Sequence, residues 1–198
     1  MAIKVVLFDV DGVLANGGPF SHCLERDYDI TQQIVRPFFQ GRFRECLVGN
    51  ADLKEELAPL LHEWGWRGSV DDFLDYWFRS EHSINEPLML EVQRLREHGL
   101  RCYIATDQEK YRTAYLLEHM GFANAFDGMF SSAHIGYIKH DTRFFQSVLQ
   151  ALQDIHANEI LFWDDTAGKV ETARSAGLQA EVYHDFADFT EKMERFIK

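Results

Sequence analysis

Cysteine is scarce in this chain: Cys23, Cys46 and Cys102 are widely spaced among 198 residues and form no CxxC pair. That excludes a disulfide framework and a zinc knot, and it is the cysteine usage expected of a reducing cytoplasm. Basic residues are also in deficit, 20 Lys and Arg against 32 Asp and Glu, for a formal charge of -12. A broad surface for a phosphate backbone is therefore not expected, and nucleic acid polymer is set aside as a partner, although nucleotides stay open. No apolar run reaches membrane-spanning length, and Met1 leads into Ile3-Lys4-Val5 without a basic leader or cleavage signal, so a cytoplasmic protein with no membrane partner is expected. There is no glycine-rich dinucleotide fingerprint and no internal repeat. What the chain does have is 46% apolar content, enough for one good core plus a small appended unit and too little for two full domains.

The most informative stretch is Val5-Val6-Leu7-Phe8-Asp9-Val10-Asp11-Gly12-Val13. A continuous apolar run reads as a strand buried on both faces, and it ends in two carboxylates that no core accepts without partners. Gly12 lets the backbone turn at once, so both side chains can reach one site. One reading makes Asp9 a nucleophile and metal ligand with Asp11 as its acid/base partner; the other makes both the start of an ordinary turn.

After the turn cluster Asn16-Gly17-Gly18-Pro19, apolar residues from Phe20 to about Ser80 recur at helical spacing. Leu53, Leu57, Leu60, Leu61 and Trp64 mark one helix, with Asn50 or Asp52 available as its cap; further helices are expected over residues 30–39, 43–48 and 71–78. This aromatic-rich segment, residues 16–84, reads as an all-helical insertion too small to stand alone. It should pack over a main domain made of residues 1–15 and 85–198. There Pro87 suits the first turn of a helix running to His98. Strands are expected over 100–105, 126–130, 159–163 and 179–183, with helices over 108–120, 141–152, 166–176 and from about 185. That alternation predicts an α/β fold, an open parallel sheet of Rossmann-like type with helices on both faces.

Three polar clusters, Asp9/Asp11, Thr106/Asp107 and Asp164/Asp165, each directly follow a predicted buried strand. In an open α/β sheet that edge is where ligands bind. Gathered carboxylates repel one another unless a hard cation neutralises them, and an all-oxygen donor set favours Mg²⁺. Taken singly, Asp164 or Asp165 could cap the helix that Thr166 opens, Thr106 could be a turn hydroxyl and Lys139 a solvated lysine. Taken together, Lys139 would neutralise developing charge and Thr106 would donate to a phosphoryl oxygen.

Asp9-Val10-Asp11-Gly12-Val13, Thr106, Lys139 after Gly136, and Asp164-Asp165 resemble, in order and spacing, the four signature segments of the haloacid dehalogenase-like (HAD) hydrolase superfamily. The helical insertion resembles the small cap of its C1-type members. The resemblance implies that Asp9 becomes phosphorylated and that Mg²⁺ is held by Asp9, the backbone carbonyl of Asp11 and Asp165, with Asp164 bound directly or through water. Asp11 would protonate the leaving oxygen, and Thr106, Asp107 and Lys139 would bind the phosphate. It implies a phosphatase for a small phosphorylated metabolite, a sugar phosphate or nucleotide. A phosphomutase and a non-catalytic phospho-ligand binder are the alternatives, and a dehalogenase is disfavoured because Asp11 is present. Three positions depart from the pattern: Asp107 and Lys169 stand where asparagine is usual, and His140 where proline often follows the lysine.

Overall fold

The computed structural model describes residues 2–196. Strand β1 (Val5–Phe8) is followed by the helical insertion, α1 (Phe20–Tyr28), α2 (Gln32–Gln40), α3 (Phe43–Leu47), α4 (Leu53–Trp64) and α5 (Val70–Ser80). The main domain continues with α6 (Glu86–Glu97), β2 (Arg101–Thr106), α7 (Lys110–Glu118), α8 (Phe122–Ala125), β3 (Gly128–Ser131), α9 (Ser132–Ile135) and α10 (Thr142–Ala151). A short 3-10 turn at Ala157–Glu159 leads into β4 (Ile160–Asp164), α11 (Ala167–Ser175), β5 (Gln179–Val182) and α12 (Phe186–Met193).

The five strands form one parallel sheet in the order β3-β2-β1-β4-β5. β1 is central and wholly buried, and alternation of its side chains explains why its sequence is uninterruptedly apolar. Val6 and Phe8 join Ile104, Leu161 and Trp163 in a core closed by α6 and α12. Val5 and Leu7 join Phe144, Phe162 and Val170 on the opposite face, closed by α10 and α11. Each such side chain contributes about 1.5–3 kcal/mol by leaving water, so a charge placed within this strand would be strongly excluded.

The third strand lies slightly later than its apolar pattern predicts. Phe122 to Phe126 form a helical turn, closed by the Phe126 N–H donating to the Phe122 carbonyl, and their rings pack edge to face 5.6 Å apart. Extended structure therefore starts only at Gly128. The short helix Ser132–Ile135 also goes beyond what the sequence pattern signals.

The insertion has its own apolar cluster, in which Phe20, Phe38, Trp64, Phe73 and Trp77 pack on one another. Its helices start where the sequence supplies acceptors. Asp52 accepts from the Lys54 and Glu55 N–H groups, and Ser69 with Asp72 forms a reciprocal capping box. The chain leaves and re-enters the core side by side. Ala15 and Ile84 form an antiparallel bridge, and Asn85 Nδ2 donates to the Val13 carbonyl and the Tyr183 hydroxyl. From α7, Arg112 Nη1 donates to the Phe78 carbonyl, while Tyr111 and Lys110 meet Asp52 at 2.8 and 2.6 Å. No helix among the described residues is long and apolar enough to cross a membrane.

Candidate active site

The register decides which side chains meet. Phe8 is level with Ile104 on one side and Trp163 on the other. The next residue, Asp9, still belongs to the ladder, its N–H donating to the Trp163 carbonyl. Asp9 therefore stands at the carboxyl edge beside the ends of both neighbouring strands, and the chain turns there. Gly12 takes a left-handed backbone (φ 78°), and a Cβ at that position would collide with the Asp165 carboxylate. A glycine is required both by the conformation and by the close approach.

Asp9, Asp11, Gly12, Thr106, Asp107, Asp165, Thr166 and Lys169 line one cavity of about 280 Å³. The three strand-end clusters thus come together, and this lining is drawn from the main domain. Asp164 and Lys139 lie buried behind it. Lys139 Nζ sits 2.5 Å from Asp9 Oδ1 and 2.6 Å from Asp164 Oδ2. A fully buried ammonium between two carboxylates is no solvated lysine. Its backbone N–H donates to Asp107 Oδ1 at 2.8 Å, which fixes the loop that carries it without the help of a proline at 140.

β4 runs through Asp164, and this separates the paired aspartates. Asp164 points into the protein, where its Oδ1 accepts from the Thr166 N–H and its Oδ2 from Lys139. Asp165 opens onto the cavity and accepts from the Thr166 hydroxyl at 3.1 Å. Carboxylate oxygens of Asp9, Asp164 and Asp165 lie within 4.8 Å of one another. Three converging carboxylates with no thiol or imidazole among them suit a hard, oxygen-seeking divalent cation such as Mg²⁺. The Asp11 side chain is not in that group. It turns to Gln108, whose Nε2 donates to Asp11 Oδ2 at 2.6 Å.

The charges around this edge lie close enough to shift one another. Burial favours neutral Asp9, but Lys139 and Lys169 outweigh it and hold the carboxyl below its ordinary value. Asp164 moves the other way, raised by burial and by the charge of Asp9. Lys139 stays protonated despite its burial, because Asp9 and Asp164 hold its pKa above the usual lysine value. Asp11 opens onto the cavity but is closely surrounded by protein, and desolvation, reinforced by Asp9, raises its pKa. Thr106 Oγ1 is buried with no hydrogen-bond partner among the described residues, an unspent polar group at the cavity.

Two residues of this neighbourhood carry no signal in the sequence pattern. Gln108 is a polar residue shortly after a strand, 97 positions from the carboxylate it holds. Arg112 lies on α7 and is 2% exposed. Only the fold shows that it grips the end of the insertion. Lys169 stands out in sequence as an unusual cation, and the fold puts it at the cavity.

A family model described as haloacid dehalogenase-like hydrolase matches residues 3–177. Among curated proteins, bifunctional epoxide hydrolase 2 of Rattus norvegicus is 25% identical over 98% of this chain, which spans only 39% of that protein's length. Phosphatase MT3486 of Mycobacterium tuberculosis is 28% identical, with 91% of this chain and 87% of that protein covered. Among solved structures, a HAD family enzyme of Bacteroides thetaiotaomicron in a magnesium complex has a TM-score of 0.81 at 20% identity. It covers 96% of this chain and 99% of its own, and at that identity it speaks for the fold.

Proposed function

This chain belongs to the haloacid dehalogenase-like hydrolase family, and from that premise we propose that it is a Mg²⁺-dependent phosphatase of small phosphorylated metabolites such as sugar phosphates or nucleotides. The observation that carries the reading is that Asp11 and Asp9 line the same small cavity, with Asp11 held by Gln108. Hydrolysis through a carboxylate nucleophile needs a second group that gives and then takes a proton, and that is the role Asp11 is placed for. Displacement of halide would need no proton donor for its leaving group. The curated relative named as a phosphatase supports the same reading.

Asp9, Asp165 and Asp164 are the side chains that would hold the cation, and the family resemblance adds the Asp11 carbonyl. When bound, Mg²⁺ neutralises the carboxylates and the phosphoryl oxygens, so that the two can approach. Asp9 has one oxygen anchored: Oδ1 accepts from the Val10 N–H at 2.7 Å and from Lys139. Its other oxygen attacks phosphorus as the bond to the ester oxygen breaks, and Asp11 delivers its proton to that oxygen. Asp11, now a carboxylate, takes a proton from water. The hydroxide displaces Asp9 from phosphorus, which frees both the carboxylate and inorganic phosphate. Thr106 Oγ1 donates to a phosphoryl oxygen, and buried Lys139 keeps the nucleophile ionised and in line.

In this scheme residues 1–15 and 85–198 carry the chemistry, and residues 16–84 form a cap that discriminates between leaving groups and limits water at the site. The three cysteines are free, which supports a cytoplasmic setting. The deciding test is phosphate release from a broad panel of phosphate esters, with Mg²⁺ and with chelator, by the wild type and by Asp9→Asn. Mg²⁺-dependent release that Asp9→Asn abolishes is expected. If no ester is hydrolysed, or if Asp9→Asn behaves as wild type, the reading fails.

A further inference from the structure

Lys139 and Lys169 are the two ammonium groups at this edge, and their bonding differs. Lys139 makes short contacts to Asp9 and Asp164. Lys169, from the first turn of α11, stands 3.5 Å from Asp107 Oδ2, 3.7 Å from Asp9 Oδ2 and 4.0 Å from Asp164 Oδ2. All three distances exceed an ordinary N–H···O hydrogen bond. The side chain is only 18% exposed, and it lines the cavity together with unpartnered Thr106 Oγ1. A largely desolvated ammonium has three donors to satisfy. Here it is drawn toward three carboxylates and bonded closely to none of them, with its donors available to whatever enters the cavity.

Asp107 completes the arrangement. One of its oxygens is occupied by the Lys139 N–H, and the other faces Lys169. Asp107 and Lys169 thus form a loose ion pair in the lining of a site already crowded with negative charge. Removing both charges would leave the net charge of the site unchanged. Removing the ammonium alone would leave Asp107 facing any incoming dianion uncompensated.

We propose that Lys169 is a second phosphoryl-binding cation, positioned by Asp107, and that the two act as one unit in which the lysine makes an otherwise repulsive aspartate compatible with a phosphate dianion. This builds on the phosphatase reading and adds a residue that meets the substrate. The ammonium supplies a direct contact to a phosphoryl oxygen opposite the anchored oxygen of Asp9. Asp107 keeps the lysine from folding onto Asp9 and blocking attack. Nonpolar or amide replacement of Lys169 therefore does more harm than replacement of Asp107, and the harm is partly undone by removing both.

The test compares wild type with Lys169→Asn, Asp107→Asn, the double variant and Lys169→Arg. Two measurements are made: calorimetric binding of inorganic phosphate to the Mg²⁺-loaded protein, and kcat and KM on whichever ester the wild type hydrolyses. Loss of a charged donor to a phosphoryl group predicts that Lys169→Asn lowers kcat/KM by about a hundredfold or more. Phosphate affinity should fall by at least about tenfold, in line with the loss of one charge-assisted hydrogen bond. The double variant should regain a substantial part of both losses, and Lys169→Arg should keep phosphate affinity near wild type. Lys169→Asn with phosphate affinity within about twofold of wild type would overturn the proposal, as would losses in the double variant that simply add those of the two single variants. If the wild type hydrolyses no ester, the phosphatase reading falls, while phosphate binding still judges the role of Lys169 by itself.

Discussion

Gln108 Nε2 donates to Asp11 Oδ2 at 2.6 Å, joining the end of the second strand to the turn that follows the first. Gln108 is itself fastened from behind, since its carbonyl accepts from the hydroxyls of Ser131 and Ser132. The proposed proton donor is thus held through one oxygen, with the other left toward the cavity.

Replacing Gln108 by Leu should leave the fold intact and let Asp11 rotate away from the leaving group. Loss of a positioned general acid is worth about 10²–10⁴-fold, and the part due to orientation should appear mainly with poor leaving groups. We expect kcat for alkyl phosphates to fall at least tenfold, with a much smaller loss for p-nitrophenyl phosphate, whose leaving group needs little protonation. A series of substrates graded by leaving-group pKa measures this; equal losses across the series would argue against the role.

Asp52 serves two structures at once, capping α4 and receiving Tyr111 and Lys110 from the main domain. Although burial opposes ionisation, the bonds from Lys110 and Tyr111 hold its carboxyl down at about 2. Its stabilisation is therefore complete above the ordinary value of 3.8 and is lost as pH falls toward 2. Asp52→Ala should cost about 1–2 kcal/mol in urea unfolding at neutral pH, the range for a lost N-cap. Tyr111→Phe keeps the cap and the Lys110 ion pair, and loses only one of the two bonds that Asp52 receives from the main domain. Its stability cost and its effect on KM should both be smaller than those of Asp52→Ala.

Glu81 lies where the insertion returns to the core. It accepts from the Phe20 N–H and from Trp77 Nε1, and stands 3.7 Å from Arg112 Nη2. Burial pushes its carboxyl up to about 7 against the pull of Arg112, and the charge of Asp11 adds to the rise. The protonated form is favoured by folding, so its stabilisation is full below about 4.5 and is lost as pH rises through about 7. Thermal unfolding of Glu81→Gln should show a flatter profile across that interval, with its largest gain relative to wild type above pH 7. An unchanged profile would place the titration elsewhere.

The buried strand before Asp9 could be read from sequence because parallel strands covered on both sides leave a long apolar signature, and the charges that interrupt it mark the sheet edge. The roles of Asp164 and Asp165 could not, because side chains alternate along a strand and their directions depend on where β4 stops. Helical spacing from Phe20 onward is legible, but the bounds of the helix Phe20–Tyr28 are not, for a local reason. Pro19 at its start makes no side-chain cap bond, and Asp29 ends it in the left-handed conformation without a glycine. Gln108, Arg112 and the neighbours of Lys139 needed long-range register, which no local pattern encodes. Lys169 shows both sides of this: its charge was conspicuous in sequence, and its closeness to Asp9 and Asp107 was not.

The central claim is that Asp9 takes the phosphoryl group, and it is most directly tested by mass spectrometry of Asp11→Asn mixed with Mg²⁺ and p-nitrophenyl phosphate. This ester needs little acid assistance to form the acyl phosphate, and without Asp11 as base the covalent species should persist. The account predicts one added phosphoryl group, located at Asp9 in the peptide map. Release of p-nitrophenol with no phosphoryl group on Asp9, or with the group on another residue, would contradict it.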